Sequence, residues 1–114
     1  MLYETEFLLA LAITITTEVP VLVALIRLVF RDTGIPVRRI VGIGALCTAL
    51  TLPYLWFVWP PFVDAAYYPL IGELLVVLVE AGVLNQLLGL DAKRAAACSL
   101  VMNIVSFGIG LLVF

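Results

Sequence analysis

The sequence predicts an all-α polytopic membrane protein of four transmembrane helices, arranged as two tandem helical hairpins in a parallel repeat. Composition is the first observation: 65% of the 114 residues are hydrophobic and 12% are charged. Soluble domains carry about 45–50% apolar and about 25% charged residues. The second observation is four apolar stretches of membrane-spanning length, and the third is an intramembrane glutamate that recurs in the third stretch. Residues 1–114 are therefore treated as a single transmembrane domain.

The four predicted spans are each close to the ~20 residues that a helix needs to cross ~30 Å of hydrocarbon. They cover about residues 7–30, 40–59, 68–88 and 95–114. Each is expected to be a helix, because unpaired backbone groups are not tolerated in lipid. The connections are short, so neighbouring helices are expected to be antiparallel. The N-terminus is acidic and lacks the positive region of a signal peptide, so the first span is expected to be retained.

The basic residues lie on one side of these spans, in or beside loops 31–39 and 89–94. The six are Arg27, Arg31, Arg38, Arg39, Lys93 and Arg94. The opposite side carries acidic residues and no lysine or arginine. By the positive-inside rule, both loops face the cytoplasm and both termini lie outside. The predicted location is the cytoplasmic (inner) membrane, with the lipid bilayer as the first partner.

Polar positions in the two halves of the chain coincide after a shift of 55 residues. Three intramembrane pairs have this spacing: Glu18 and Glu73, Thr48 and Asn103, Thr51 and Ser106. Because polar residues are scarce in the spans, the coincidence indicates an internal repeat, with repeat 1 at about 1–59 and repeat 2 at about 60–114. A two-helix unit returns the chain to its starting side, so the copies have one orientation and are related by an axis along the membrane normal.

Glu18 is the first candidate site residue. A charged side chain at the centre of a membrane helix costs about 2.5–3.5 kcal/mol on the insertion scale. Pro20 cannot donate to the carbonyl of Thr16, and Thr14 and Thr17 lie on the same side of the helix as Glu18. This polar pocket is expected to suit a proton, a small cation or an organic amine.

Glu73 and Glu80 are the other candidate acids, and they share one face of the third helix because seven residues make two turns. Arg27, at a depth similar to Glu80, is expected to form an ion pair with it or to extend to the membrane surface. Facing carboxylates repel each other when both are charged, so at least one of Glu18 and Glu73 is expected to be protonated.

Polar stripes on the second and fourth helices complete the candidate proton or cation site. They contribute Thr48, Thr51, Asn103 and Ser106. Hydroxylic and small residues in such stripes let helices approach closely and form hydrogen bonds across the contact. Helix packing is the first interpretation of the stripes, and contact with an ion is the second.

Several functional classes have no support in the sequence. The chain has no histidine, no nucleophile beside a base and no glycine-rich phosphate loop, so neither enzymatic activity, a metal nor a cofactor is predicted. Cys47 and Cys98 lie in apolar segments and are expected to be buried thiols. Exposed basic residues are too few for nucleic-acid binding.

Two functional hypotheses remain. The first is a small transporter or ion-translocating module with intramembrane glutamates as proton or cation sites. The second is a non-catalytic accessory or assembly subunit of a larger membrane complex. Four helices enclose little volume, so a homodimer or a larger membrane complex is expected in either case.

Four helices in a chain of about this length, with a glutamate in the first, resemble the small multidrug resistance transporters. In that family, the glutamate of helix one binds protons and cationic drugs in turn, within a dimer. The resemblance rests on chain length and on Glu18, and only Glu18 would take over that role. The one-sided basic residues and the second glutamate, Glu73, depart from the family pattern.

Overall fold

The computed structural model describes residues 3–53 and 68–113, the side chains of residues 68–70 excepted. The described residues form four helices and no strand, which confirms the all-helical prediction. The helices are α1 (Tyr3–Ala24), α2 (Val37–Pro53), α3 (Tyr68–Val83) and α4 (Ala92–Val113). Single π-helical turns, Leu25–Val29 and Leu84–Leu88, continue α1 and α3.

Three of the helical segments are long and apolar enough to cross a membrane. They are Tyr3–Val29, Ile71–Leu88 and Ala92–Val113. The remaining predicted span, 40–59, begins within α2, and its last residues, 54–59, lie outside the described part of the chain. The structure is thus compatible with a membrane protein and accounts for three of the four predicted spans.

The helix ends differ slightly from the expected loop boundaries. Arg38 and Arg39 belong to α2, which starts directly after Pro36. Helix α4 starts at Ala92 because Asp91 caps it: Asp91 Oδ1 accepts a 2.8 Å hydrogen bond from the backbone N–H of Arg94. The basic residues therefore lie in the last turn of α1, in the loop after it and in the first turns of α2 and α4.

Consecutive helices surround a common interior, with α1 packed on α2 and α4, and α3 packed on α4 and α2. At one end of the bundle, Arg39 donates to the carbonyl of Leu87 at 2.6 Å, which ties the start of α2 to the end of α3. At the same end, the Arg94 guanidinium lies 5.4 Å from the centre of the Phe30 ring. This end, the basic end, is where α1 and α3 finish and where α2 and α4 start.

The bundle has a polar interior and an apolar exterior. Its buried polar side chains are Glu18, Thr48, Thr51, Glu80, Ser99 and Asn103. Large apolar side chains point outward, and Leu28 and Leu112 are 74% and 88% exposed. In water such a surface would be unfavourable, whereas in lipid it is required, and polar groups are then bonded inside the protein. The distribution fits the membrane interpretation.

An apolar cluster fills the interior between the buried carboxylates and the basic end. It includes Leu22, Ile26, Ile40, Leu84, Leu88, Leu90 and Ala95. Cys47 and Cys98 are buried free thiols beside it, as predicted. The polar interior is thereby closed toward the basic end.

Gly44 allows α1 and α2 to approach closely above this cluster. A Cβ atom at this position would lie 3.1 Å from Leu22 Cδ2 and 3.3 Å from Val19 Cγ2. At Gly42, on the same helix, a Cβ would have no neighbour within 4 Å. A larger side chain therefore has space at Gly42 and would collide with α1 at Gly44.

We predict that Gly44→Val lowers the free energy of unfolding by about 1–3 kcal/mol, because the added carbons overpack the α1–α2 contact. Gly42→Val is the matched control, since it has the same β-branched side chain in the same helix but open space around it. Unfolding of the purified protein by denaturant in mixed micelles measures the difference. Equal losses in the two variants would contradict the prediction.

Candidate functional site

Glu18 lies in the interior of the bundle and is 2% exposed. Its Oε2 accepts a hydrogen bond of 2.9 Å from Thr48 Oγ1, and its Oε1 accepts one of 2.8 Å from Ser106 Oγ. Thr48 is on α2 and Ser106 is on α4, so the carboxylate of α1 binds both helices that flank it. The polar stripes of α2 and α4, for which helix packing was the first interpretation, thus each supply one hydrogen-bond donor to an intramembrane acid.

Glu80, on α3, is the second buried carboxylate and is 0% exposed. Asn103 Nδ2 donates to its Oε1 at 2.6 Å, and Thr51 Oγ1 lies 3.3 Å from its Oε2. The second amide hydrogen of Asn103 is donated to the carbonyl of Ser99 at 2.8 Å. Glu80 is therefore bonded to the same two helices as Glu18.

The two acids and their four donors form one hydrogen-bonded unit, which we call the polar layer. Its members are Glu18, Thr48, Thr51, Glu80, Asn103 and Ser106. The donors are three residues apart on each helix, so they share one helix face. Helices α2 and α4 each give one donor to each acid, and the layer therefore links all four helices.

The charge of the polar layer has no cationic partner among the described residues. Their one ion pair joins Arg94 and Asp91 at the bundle surface, at 3.7 Å. Glu18, Glu73 and Glu80 are near enough for their charges to interact. The chemistry of the interior is therefore that of clustered acids with neutral donors.

The predicted ion pair of Arg27 with Glu80 is not formed. Arg27 Nη2 instead donates to the carbonyl of Ile35 at 2.6 Å, while its buried Nε has no acceptor. The reason is depth. The π-helical turns of α1 and α3 start 59 residues apart, so Glu80 is level with about Val21 of α1. Arg27 is six residues further along α1, which amounts to about 9 Å along a helix axis.

Glu73 is half-buried and makes no hydrogen bond with the described residues. The shift of 55 residues predicted it as the counterpart of Glu18, yet the donors Asn103 and Thr51 reach Glu80. Glu73 is seven residues before Glu80, two turns further from the basic end. Of the two acids on α3, one is bonded on both oxygens and one is unbonded.

The lengths of the two interhelical links explain this difference. Helices α2 and α4 start 55 residues apart, at Val37 and Ala92, but the π-helical turns of α1 and α3 start 59 apart, at Leu25 and Leu84. Residues 30–36 join the first pair of helices and only residues 89–91 join the second. Gly89, with φ of 73°, makes the short turn possible. The difference of four residues is about one helical turn. Relative to the helix that follows it, α3 is therefore displaced along the bundle axis by about one turn compared with α1.

Thr14 and Thr17 of α1 form no hydrogen bond with Glu18, contrary to the pocket expected from the sequence. Thr14 donates to the carbonyl of Ala10 and Thr17 to that of Ile13, both at 2.7 Å. Threonine in a helix readily bonds the carbonyl one turn back. The local sequence around Glu18 therefore supplies no hydrogen-bond donor, and its partners come from α2 and α4.

Ser99 is a further buried residue of the interior, outside the candidate site that the sequence predicts. Its Oγ donates to the carbonyl of Val77 at 2.7 Å, and its own carbonyl accepts from Asn103. It therefore fixes α4 against α3 and orients the amide that holds Glu80. Its position four residues before Asn103, on the same face, is the signal that could have identified it.

No protein family, curated protein or solved structure matches this chain.

We predict that Asn103→Leu destabilises the protein by about 1–3 kcal/mol, because it leaves the buried Glu80 Oε1 without a donor. Adding Glu80→Leu should recover part of this loss, with a coupling energy of about 0.5–3 kcal/mol in a double-mutant cycle. Denaturant unfolding in mixed micelles provides the four free energies of each cycle.

The matched control is a second cycle that combines Asn103→Leu with Glu73→Leu. Glu73 is on the same helix face as Glu80 but is not bonded to Asn103, so its coupling should be close to zero. Additive free energies in the Glu80 cycle would contradict the assigned hydrogen bond.

Proposed function

We propose that this chain is a small integral membrane transporter or ion-translocating module, with Glu18 and Glu80 as its central proton or cation sites and Glu73 as a third. One observation carries the proposal: two carboxylates are buried in a bundle with an apolar exterior, and each is bonded by neutral donors, with no cationic partner among the described residues. Ionisable residues in membrane interiors are costly and mark ion or proton pathways. Apolar and hydroxylic contacts would hold such a bundle together without acids.

The distribution of groups along the bundle axis supports a path with two different ends. The apolar cluster separates the polar layer from the basic end. Glu73 lies on the other side, two turns from Glu80, and none of the described residues donates a hydrogen bond to its carboxylate. Under this proposal, ions enter past Glu73, and the apolar cluster must part for release at the basic end.

The proposed location is the cytoplasmic (inner) membrane. In the proposed topology, both termini lie outside and loops 31–39 and 89–94 lie in the cytoplasm. It is supported by the common position of the basic residues, since Arg39 and Arg94 both contact the ends of neighbouring helices at the basic end. The proposed parallel repeat is supported by the donors, because Thr48 and Asn103 serve equivalent positions in the two halves. So do Thr51 and Ser106.

The rival proposal is a non-catalytic subunit of a larger membrane complex. The complete bonding of Glu18 and Glu80 within their own chain favours it, since a structural acid needs no access to water. Native mass spectrometry after gentle extraction from the host membrane separates the proposals. A homodimer or other homo-oligomer is expected for a transporter, and a fixed stoichiometry with other chains for a subunit.

We predict that Glu18→Gln, Glu73→Gln and Glu80→Gln each reduce proton-coupled flux to the level of protein-free liposomes, because an amide cannot carry the exchangeable charge. An encapsulated pH-sensitive dye measures the flux under an imposed membrane potential. Glu4→Gln is the matched control, since Glu4 is exposed in the first turn of α1. Size-exclusion profiles verify that the variants assemble, and wild-type flux in the Glu18 and Glu80 variants would refute the proposal.

We predict that Thr33→Cys reacts with a membrane-impermeant maleimide only in inside-out vesicles, and Thr5→Cys only in right-side-out vesicles. Both positions are exposed, and positive-inside orientation puts them on opposite sides. The unmodified chain is the control, because Cys47 and Cys98 are buried. Labelling of each cysteine from both sides would indicate dual orientation and contradict the proposed topology.

A further inference from the structure

We propose that the ion exchanged at the polar layer is a proton, held as the carboxylic acid forms of Glu18 and Glu80, and that rotating hydroxyls accommodate it. The inference rests on the proposed function, because only a translocating protein would need to exchange an ion at these acids. Its chemistry is nevertheless separate, because protonation of a carboxylate can be observed without any flux.

Each carboxylate oxygen of the polar layer has one direct donor. The distances to Glu18 are 2.9 and 2.8 Å, and those to Glu80 are 2.6 and 3.3 Å. Each oxygen therefore already accepts a hydrogen bond on one of its lone pairs. Among the described residues, no group of three or more histidine, cysteine or acidic side chains could hold a metal ion. The arrangement favours a proton over a metal cation.

The three hydroxyl donors each have a second acceptor on their own helix. Thr48 Oγ1 lies 3.5 Å from the carbonyl of Gly44, and Thr51 Oγ1 lies 2.8 Å from that of Cys47. Ser106 Oγ lies 3.3 Å from the carbonyl of Asn103. A hydroxyl has one hydrogen and two lone pairs, so it can donate to either acceptor and can accept at the same time.

Proton uptake then needs only a reversal of hydrogen bonds. The incoming proton forms an O–H bond with a carboxylate oxygen, and the neighbouring hydroxyl keeps its own hydrogen. That hydroxyl rotates toward the carbonyl of its own helix and accepts a hydrogen bond from the new acid. No covalent bond of the protein breaks, and no buried polar group loses its partner.

The donors assign the proton on Glu80 to a particular oxygen. Asn103 donates both amide hydrogens, one to Glu80 Oε1 and one to the Ser99 carbonyl, and an amide nitrogen cannot accept. Oε1 therefore remains an acceptor, and the proton belongs on Oε2. Thr51 is closer to the carbonyl of Cys47 than to Oε2, which leaves its lone pair free to accept from the acid. At Glu18, both oxygens face reversible hydroxyls.

Neutralisation of these acids depends on the proton because no basic group of the described residues faces them. Glu73 of α3 interacts with both acids, and the Cys47 thiol of α2 lies within the range of their charges. On α4, the Cys98 thiol is buried, and Lys93 and Arg94 lie in the first turn, at the basic end. Arg27 and Arg39 are bonded to backbone carbonyls at the basic end, beyond the apolar cluster.

Infrared difference spectroscopy of the full-length protein in phosphatidylcholine vesicles tests the inference. Between alkaline and acidic pH, we expect two bands of hydrogen-bonded carboxylic acids to appear. Glu18→Gln should remove one band and Glu80→Gln the other. Replacing choline with sodium at constant pH should leave the carboxylate and carboxylic acid bands unchanged.

Variants of the donors distinguish the hydroxyl switch from a merely structural role. Thr48→Val or Ser106→Ala should shift the Glu18 band to higher frequency, since the acid loses an acceptor, and Thr48→Ser should restore it. Thr16→Val is the matched control, because the Thr16 hydroxyl is exposed and bonds only to carbonyls of its own helix. It should leave both bands in place.

The inference is overturned if neither glutamate gives a pH-dependent carboxylic acid band, or if sodium changes the carboxylate bands through Glu18 and Glu80. Its failure differs from failure of the proposed function. The expected bands without flux would support the proton sites and refute transport. Flux that depends on Glu18 without any such band would support transport and refute the proton.

Discussion

Burial of two carboxylates is the constraint on which the arrangement of the four helices depends. A buried acid without hydrogen-bond donors is strongly unfavourable, and neither α1 nor α3 supplies one for its own acid. Helices α2 and α4 carry the donors in pairs, and each pair serves both Glu18 and Glu80. This requirement places α2 and α4 between the two acid-bearing helices, so one hydrogen-bonded unit connects all four.

The position of this unit along the bundle gives the interior a direction. On one side, apolar side chains such as Leu22, Ile26 and Leu84 are completely buried and separate the acids from the basic residues. On the other side is Glu73, half-buried and without a hydrogen bond to the described residues. The interior therefore differs on the two sides of the bonded acids, with an apolar barrier toward the basic residues and a further acid toward the opposite end.

Hydropathy and charge were enough to predict the helices, because membrane-spanning length and the position of basic residues are local properties of the sequence. The partners of Glu18 were not local. Thr48 and Ser106 are 30 and 88 residues from it, whereas the nearby Thr14 and Thr17 bond to their own helix. The sequence gives the relative depth of Arg27 and Glu80 only approximately, so it could not exclude an ion pair between residues that are about two turns apart along the bundle.

Glu80, and not Glu73, is the second bonded acid because the link between α3 and α4 is short, which the 55-residue shift in the sequence does not reveal. That shift relates the four donors, which lie on α2 and α4, but the shorter link at residues 89–91 moves α3 along the bundle by about one turn. Val77 is the residue 59 after Glu18, and Glu73 and Glu80 lie one turn before and after it. Glu80 alone reaches the donors. The two acids of α3 thereby acquire different chemistry, so the link between α3 and α4 determines which glutamate is bonded and which is free.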